Sequence, residues 1–528
     1  MPVQRRLEQL RGLLYDAPSA PTWRAITDLF DAWPDLESLA DGIAYADAHL
    51  VRWPDAARTV PALWRLRLLS GATSIPLLRL ARRLVLEHTP TDRAATRFLD
   101  LDAITALTAS PHLDALSSIN LAHNHLRDAG LLKLAAYPHL DALRHLALDR
   151  NGLGPGAMAA FAASSALNHL EHLALSHNPL GDASLEALAR APFDRLNRLD
   201  LDTVGLTTVG LMRLADAPWL DRLEALTVGG NTFDAGSLAA LAAAPRLSAL
   251  RHLDLDRSNL EPSGIEALAH GAALQQLEGL GLAHNNLRAP AVAALCQGLP
   301  HLQRLDLSAN ALGPQGAATL RRAPWLGQLH SLELRWNRLG NDGLAALAAA
   351  DHLPAAIDLA RNNLDGDGVT ALARSPAFAD LVQLNLSRNP IGPDGAEALV
   401  RGPHPPRLTA LLLNFAFVTD EGLTALTHAP RLTGLRHLDL VDNAIGDAGV
   451  AALVRSPHLT HLELLNLDMN RITDAGAALL ASARNLPRLR TLNLQHNPIS
   501  PDAVDALTHA LGHRLELRVT TYGPRRSA

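Results

Sequence analysis

Apolar side chains recur along this chain in a fixed register. In the stretch Leu435 to Leu462, Leu435, Leu438 and Leu440 follow LxxLxL, Asn443 stands three residues on, and Ile445 two further. The last two leucines alternate with polar neighbours, which predicts a short strand with one buried face. Gly449 opens a run in which Val450 and Leu453 share one side of a predicted helix. Pro457 ends that helix, because its ring cannot continue the hydrogen-bond ladder. Leu459 then leads to the next strand at Leu462. One strand and one helix in 27 residues bury too little apolar surface alone, so neighbouring copies must stack as a solenoid.

The Asn position can be followed from Asn124 to Asn497 through fifteen copies, twelve of them with Asn. Val204, Ser258 and Ala416 are the departures. The step is 27 residues almost throughout, shortened to 25 before Asn310 and before Asn362. Two residues after each position sits an apolar side chain, from Leu126 to Ile499. Ten residues after it stands Leu, with Phe161 as the one exception.

LxxLxLxxNxL followed by GxxxLxxxP resembles the leucine-rich-repeat family, and the helix-bearing unit is similar to its ribonuclease-inhibitor/RanGAP-like class. The resemblance covers about four fifths of the chain. It implies an α/β right-handed horseshoe, with parallel strands on the concave side and helices outside. It also implies an Asn ladder that satisfies backbone groups after each strand. The ladder should weaken, or be bridged by water, at Val204, Ser258 and Ala416, because a buried unpaired backbone group is costly.

Residues 1–95 lack the repeat. Amphipathic patterns predict helices over Val3–Leu14, Thr22–Ala32 (before Pro34), Leu36–Leu50, Pro61–Leu69 and Ser74–His88. Trp23, Trp33, Trp53 and Trp64 read as the core of a helical domain that caps the first repeat, or that docks a partner of its own. Phe98–Leu101 (FLDL) reads as a degenerate entry strand, so the repeat domain is placed at 96–513. In 514–528, Arg514–Tyr522 alternates as a closing strand over the exposed sheet edge, and GPRRSA is a loose tail.

Charge narrows the partners. The net charge is −6, whereas nucleic-acid binders more often carry a concentrated basic face, so a protein partner is expected rather than nucleic acid. Lys133 is the one lysine; with many Ala and Leu this suggests a GC-rich bacterial genome. The lone Cys296 forms no intramolecular disulfide, which argues against a cystine-capped secreted receptor. No apolar run approaches the roughly 20 residues of a membrane span, and the first residues lack a signal-peptide core. The reading is cytoplasmic, with no membrane partner.

Positions between and just after the strand leucines should line the inner face in columns. One runs through His145, His172, Arg198, Arg304 and His437, the next through Asp200, Asp254, Asp306, Glu333 and Asp358, and a third adds Asp149, Asp202 and Arg335. The candidate contact residues are Arg198, Asp200, Asp202, Asp254, Arg257, Asp306, Glu333, Arg335, Trp336 and Asp358. They form an acidic ridge edged by arginines, Arg361 among them. Trp336 and Phe415 stand out as aromatic among polar neighbours. Each is either a contact residue, since aromatic and Arg side chains are enriched at binding hot spots, or an irregular packing residue at a turn.

Several patterns that imitate chemistry dissolve on inspection. NGLGPG at Asn151–Gly156 and LDGDG at Leu364–Gly368 fall on the strand-to-helix turn of every copy and lack phosphate-loop or EF-hand spacing. His509 and His513 are four apart, but Gly512 interrupts their helix and no HExxH pattern is present. His145 and His172 should stack without the four ligands of a closed zinc site; a pH-sensitive polar surface suits them better. No cofactor or metal is expected. The function expected is a non-enzymatic protein-binding scaffold. The alternatives are a GTPase-activating or other regulatory protein of RanGAP-like type, for which no catalytic arginine can be matched, and a bacterial effector with activity in the N-terminal domain.

Overall fold

Each repeat contributes a strand of only three residues, and its middle side chain is the one that turns inward. In Ser331–Glu333 the central Leu332 is fully buried, while Ser331 and Glu333 keep partial exposure. This is the alternation a pleated strand imposes. The helix that follows, Gly340–Ala348, buries Leu344 and Leu347 at the i, i+3 spacing that makes one face. In this computed structural model residues 2–33, 35–71, 75–87, 98–110, 112–404 and 407–520 are described.

Residues 1–254 and 255–528 form two compact units. The first opens with the helices Pro2–Tyr15, Ala20–Asp31, Leu36–Leu50 and Ala62–Leu69. Trp23, Trp53 and Trp64 are buried among them. Two of them bond through their polar edges: Trp23 Nε1 donates to the Thr59 carbonyl at 2.6 Å and Trp64 Nε1 to Asp31 Oδ1 at 3.0 Å. Trp33 stacks on Phe30 with centroids 5.2 Å apart. Parallel strands follow, from Arg83–Val85 through Ser118–Asn120 to His252–Asp254, each paired with the next. The second unit repeats the pattern from Gly279–Gly281 to Glu516–Arg518, again parallel and in register. This is the leucine-rich-repeat solenoid.

Two expectations need correcting at the entry to the repeats. The segment read as a helix over Ser74–His88 (both end residues lie outside the described set) holds a 3-10 turn, Pro76–Leu80, and then the strand Arg83–Val85. Leu84 and Leu86 are buried on alternate positions, and the Arg82 carbonyl accepts from Ser117 N and Ser118 N at 2.9 and 3.0 Å. That ladder needs a distant partner, so local pattern alone misses it. Phe98–Leu101 is not a strand. Asp100 caps the helix Leu101–Thr108 by accepting from Ala103 N at 3.1 Å. Leu99 instead takes the place that Leu126 takes one repeat later: its N–H donates to Asn124 Oδ1 at 2.9 Å, as Leu126 N–H does to Asn151 Oδ1 at 3.4 Å. The expected boundary at 95/96 lies outside the described residues, as do Pro34, Tyr522 and the GPRRSA tail. The closing strand is present as Glu516–Arg518, paired with Thr491–Asn493.

The Asn ladder holds the turns. Asn389 Nδ2 donates to the carbonyls of Leu359, Leu386 and Ser387, and its Oδ1 accepts from Asn362 N and Leu364 N. At the gaps some of the groups that the missing Asn would bind turn to local partners. Before Val204, Leu180 N–H turns back to its own Asn178 carbonyl at 2.8 Å, and before Ala416, Ile391 N–H does the same to Asn389 at 2.8 Å. These are i to i+2 bonds of the inverse-γ kind. At the third departure, Ser258 Oγ donates to the Asp256 carbonyl at 3.2 Å.

A second ladder, made of Asp, ties helix starts together. Asp420 Oδ1 accepts from Gly446 N at 2.7 Å and Gly449 N at 3.0 Å; Asp447 does the same for Thr473 N and Gly476 N at 2.9 Å each. A carboxylate suits the positive end of a helix. A Cβ on Gly449 would fall 2.5 Å from Asp420 Oδ1, so the repeat's glycine is the opening through which that carboxylate reaches the backbone.

Candidate binding surface

The residue just before the Asn position adopts left-handed backbone in all fifteen repeats, with φ between +52° and +64°. Only one of them, Gly230, is glycine. Left-handed backbone costs a non-glycine residue about 1–2 kcal/mol. Hydrogen bonds offset this, because in most repeats the N–H reaches a carbonyl of the next repeat: Trp336 to Ala360 at 2.8 Å, Arg361 to Ser387 at 3.0 Å, Arg388 to Asn414 at 2.6 Å and Phe415 to Val441 at 2.7 Å. The result is a third row of side chains beside the two rows on the strands.

In the second unit this row lines a cleft of about 540 Å³. Trp336, Arg361, Arg388 and Phe415 come from four consecutive repeats and all border it. The Arg361 guanidinium lies 5.8 Å from the Trp336 ring centroid, and that of Arg388 lies 4.1 Å from the Phe415 centroid. Trp336 is 51% exposed. His284 meets it edge to face at 6.3 Å. The sequence singled out Trp336 and Phe415 separately, and named Arg361 only as an edge of the acidic ridge. Arg388 and His284 were missed. The signal was there: each occupies the position one before Asn.

The strand rows carry the predicted acids. Asp306, Glu333 and Asp358 are paired in register on adjacent strands. Burial, with Asp358 and Asp306 alongside, pushes the Glu333 carboxyl up to about 7. Asp358 Oδ1 accepts from Ala360 N at 2.8 Å and its Oδ2 from Asn385 Nδ2 at 2.9 Å, while Arg335 Nη2 stands 3.5 Å away. Asp306 Oδ1 accepts from Ser308 N at 2.8 Å. These carboxylates therefore spend part of their capacity inside the fold. Arg257 is exposed on the left-handed row.

Four predicted residues belong to the first unit. Asp200 Oδ2 accepts from His172 Nε2 at 2.7 Å and from Arg198 Nε at 3.3 Å, and Oδ1 accepts from Thr227 Oγ1 at 3.0 Å. Burial alone would push Asp200 up, but the His172 hydrogen bond and charge, with Arg198 and Thr227, carry it below the ordinary carboxylate range. Asp202 lies 3.3 Å from His177 Nε2, and Asp254 ends the strand opposite Thr227. The His145 and His172 rings are 6.3 Å apart.

Among the described residues no group of three His, Cys, Asp or Glu side chains is arranged to hold a metal. His509 ends the helix Pro501–Leu511, and His513 lies beyond its Gly512 cap. Burial pushes the Cys296 thiol up to about 11, away from the thiolate a nucleophile needs. No helix among the described residues is long and apolar enough to cross a membrane.

Nine segments, 116–135, 166–189, 248–269, 298–320, 329–348, 380–400, 432–454, 458–481 and 486–507, match the family model described as Leucine Rich repeat. The chain is a leucine-rich-repeat protein. Its fold is similar to that of TLR13 in its complex with ssRNA13, at 20% identity and a TM-score of 0.52 over 87% of this chain. The chain spans 65% of the length of that relative. A leucine-rich-repeat protein of Leptospira interrogans is 20% identical over 85% of this chain and 93% of its own, with a TM-score of 0.36. An internalin of Listeria monocytogenes is 20% identical over 69% and 85%, also at 0.36. No curated protein matches the sequence.

Proposed function

We propose that this protein is a non-enzymatic scaffold that binds a protein partner on the strand side of its repeats. The observation that carries this reading is Trp336. It is half exposed, held rigidly by a backbone bond to the next repeat, and ringed by Arg335, Arg361 and His284. Large aromatic and arginine side chains on a preorganised surface lose little entropy on binding and dominate interface energetics. The leucine core lies on the other side of each strand, so this surface can vary without disturbing the fold.

The finer reading is a repeat protein of the ribonuclease-inhibitor/RanGAP-like class working in the cytoplasm of a bacterium. A helix in nearly every unit supports the class, and arginine in place of lysine with a single cysteine supports the setting. The helices within residues 2–71 serve as a cap on the first strand, Arg83–Val85, and contacts come from the ten strand-side residues predicted from sequence. Capture of a partner should be compared between the full chain and a triple charge reversal at Asp254, Asp306 and Glu333. Retention should be lost with circular dichroism unchanged. Undiminished retention would move the contact surface elsewhere.

A further inference from the structure

The strand row that carries the acids changes character under the cleft. In register order it reads Asp306, Glu333, Asp358, Asn385, Leu412 and Asp439. The charge stops for two repeats, at Asn385 and Leu412. The left-handed row places Arg388 and Phe415 on the two neutral rungs and Arg361 on the adjoining Asp358 rung, and all three border the same cleft. Adjacent parallel strands are about 4.8 Å apart, so the two arginines stand on neighbouring rungs.

Both guanidinium groups are held by aromatic rings and not by carboxylates. Arg335 has Asp358 as its partner, but among the described residues no carboxylate lies within ion-pair distance of Arg361 or Arg388. Each is instead held over an aromatic face, Arg361 over Trp336 and Arg388 over Phe415. Stacking uses the flat side of a guanidinium and leaves its N–H edge available. That edge matches a carboxylate in bidentate fashion. Asn385, Ser387 and Asn414 add polar groups to the cleft, and Leu412 with the Phe415 ring adds apolar surface.

We infer that this cleft is a recognition site for an acidic peptide segment, in which one Asp or Glu carboxylate meets the N–H edge of Arg388 in the neutral gap, Arg361 offers a second such edge on the Asp358 rung, and a neighbouring apolar side chain rests against Phe415 and Leu412. The inference rests on the scaffold reading and names the chemistry of the segment it binds. The two-rung gap fits a single anionic group. A long polyanion such as single-stranded RNA would run onto Asp358 and Glu333 on one side and Asp439 on the other, where like charges repel. Asp439 is poorly placed to receive it: its Oδ1 is buried without a hydrogen-bond partner, and its Oδ2 accepts from Asn414 Nδ2 at 2.9 Å.

The test uses the intact chain on an array of randomised heptapeptides, with a uridine octamer as a separate arm. Wild-type protein should enrich peptides that place Asp or Glu beside Leu or Phe, and their amide counterparts should bind roughly tenfold more weakly. Arg361→Gln with Arg388→Gln should abolish that preference with circular dichroism unchanged. Arg361→Lys with Arg388→Lys should retain part of it, because charge survives and the planar fork does not. The inference fails if enriched peptides lack carboxylates or if the double Gln variant keeps the preference. It also fails if the octamer binds more tightly than any peptide and loses binding in the same variant. If non-acidic peptides are enriched in a way that depends on Trp336, the scaffold reading survives without the acidic one. If no peptide is enriched and no partner is retained, both fall.

Discussion

The guanidinium of Arg388 stands 4.1 Å from the ring centroid of Phe415, and the two residues come from consecutive turns of left-handed backbone. The pair is half solvated, so the attraction is worth about 0.5–1 kcal/mol. Phe415→Ala removes it together with the ring's packing and should lower stability by about 1–2 kcal/mol. Arg388→Ala should cost less than about 1 kcal/mol. Urea midpoints of the two variants measure the difference; equal losses would show that the ring's packing contributes little.

The ladder predicts an asymmetry between two neighbouring rungs. Asn389→Ala leaves the carbonyls of Leu359 and Leu386 and the amides of Asn362 and Leu364 without their side-chain partners. The cost should be roughly 2–4 kcal/mol. Ala416→Asn fills the adjoining gap and should stabilise by about 1 kcal/mol, releasing Ile391 N–H from its bond to Asn389 O. Urea denaturation of both variants checks the opposite signs.

Glu333 makes stability depend on pH. Its carboxyl is raised from an ordinary 4.5 to about 7, so the folded protein holds a proton there that the unfolded chain has released. Its stabilising contribution is complete below about 4.5 and is lost as pH rises through about 7. With partial solvent access the loss is on the order of 1–2 kcal/mol. Glu333→Gln should flatten this dependence and be the more stable protein at about pH 8. Urea midpoints at about pH 5 and pH 8 decide it; a wild-type slope unchanged by the substitution would assign the titration to another group.

Arg58 fastens the N-terminal helices to the first strand. It is buried, with Nε donating to Leu80 O at 2.7 Å and Nη1 to Leu50 O at 3.1 Å. Burial, with Arg82 nearby, lowers its pKa to about 10, and Asp47 lies 4.0 Å away. Arg58→Ala strands both carbonyls and opens a cavity, at a cost of about 2–4 kcal/mol. Limited proteolysis should then cut residues 2–71 well before the later repeats.

The period, the buried leucines and the Asn rungs are legible from residue spacing alone. These depend on spacing within one unit, and each recurs often enough to be read without coordinates. The sequence also marked Trp336 and Phe415 as out of place. The remainder follows from contact between neighbouring repeats. Arg83–Val85 is a strand because Ser118–Asn120 lies beside it, and Phe98–Leu101 leads into a helix, with Asn124 holding the Leu99 amide. Likewise, Trp336, Arg361, Arg388 and Phe415 share one cleft because stacking sets residues about 27 apart on neighbouring rungs. Position in the chain records the repeat, while stacking between repeats, driven by the burial of each unit's apolar face, decides which side chains meet.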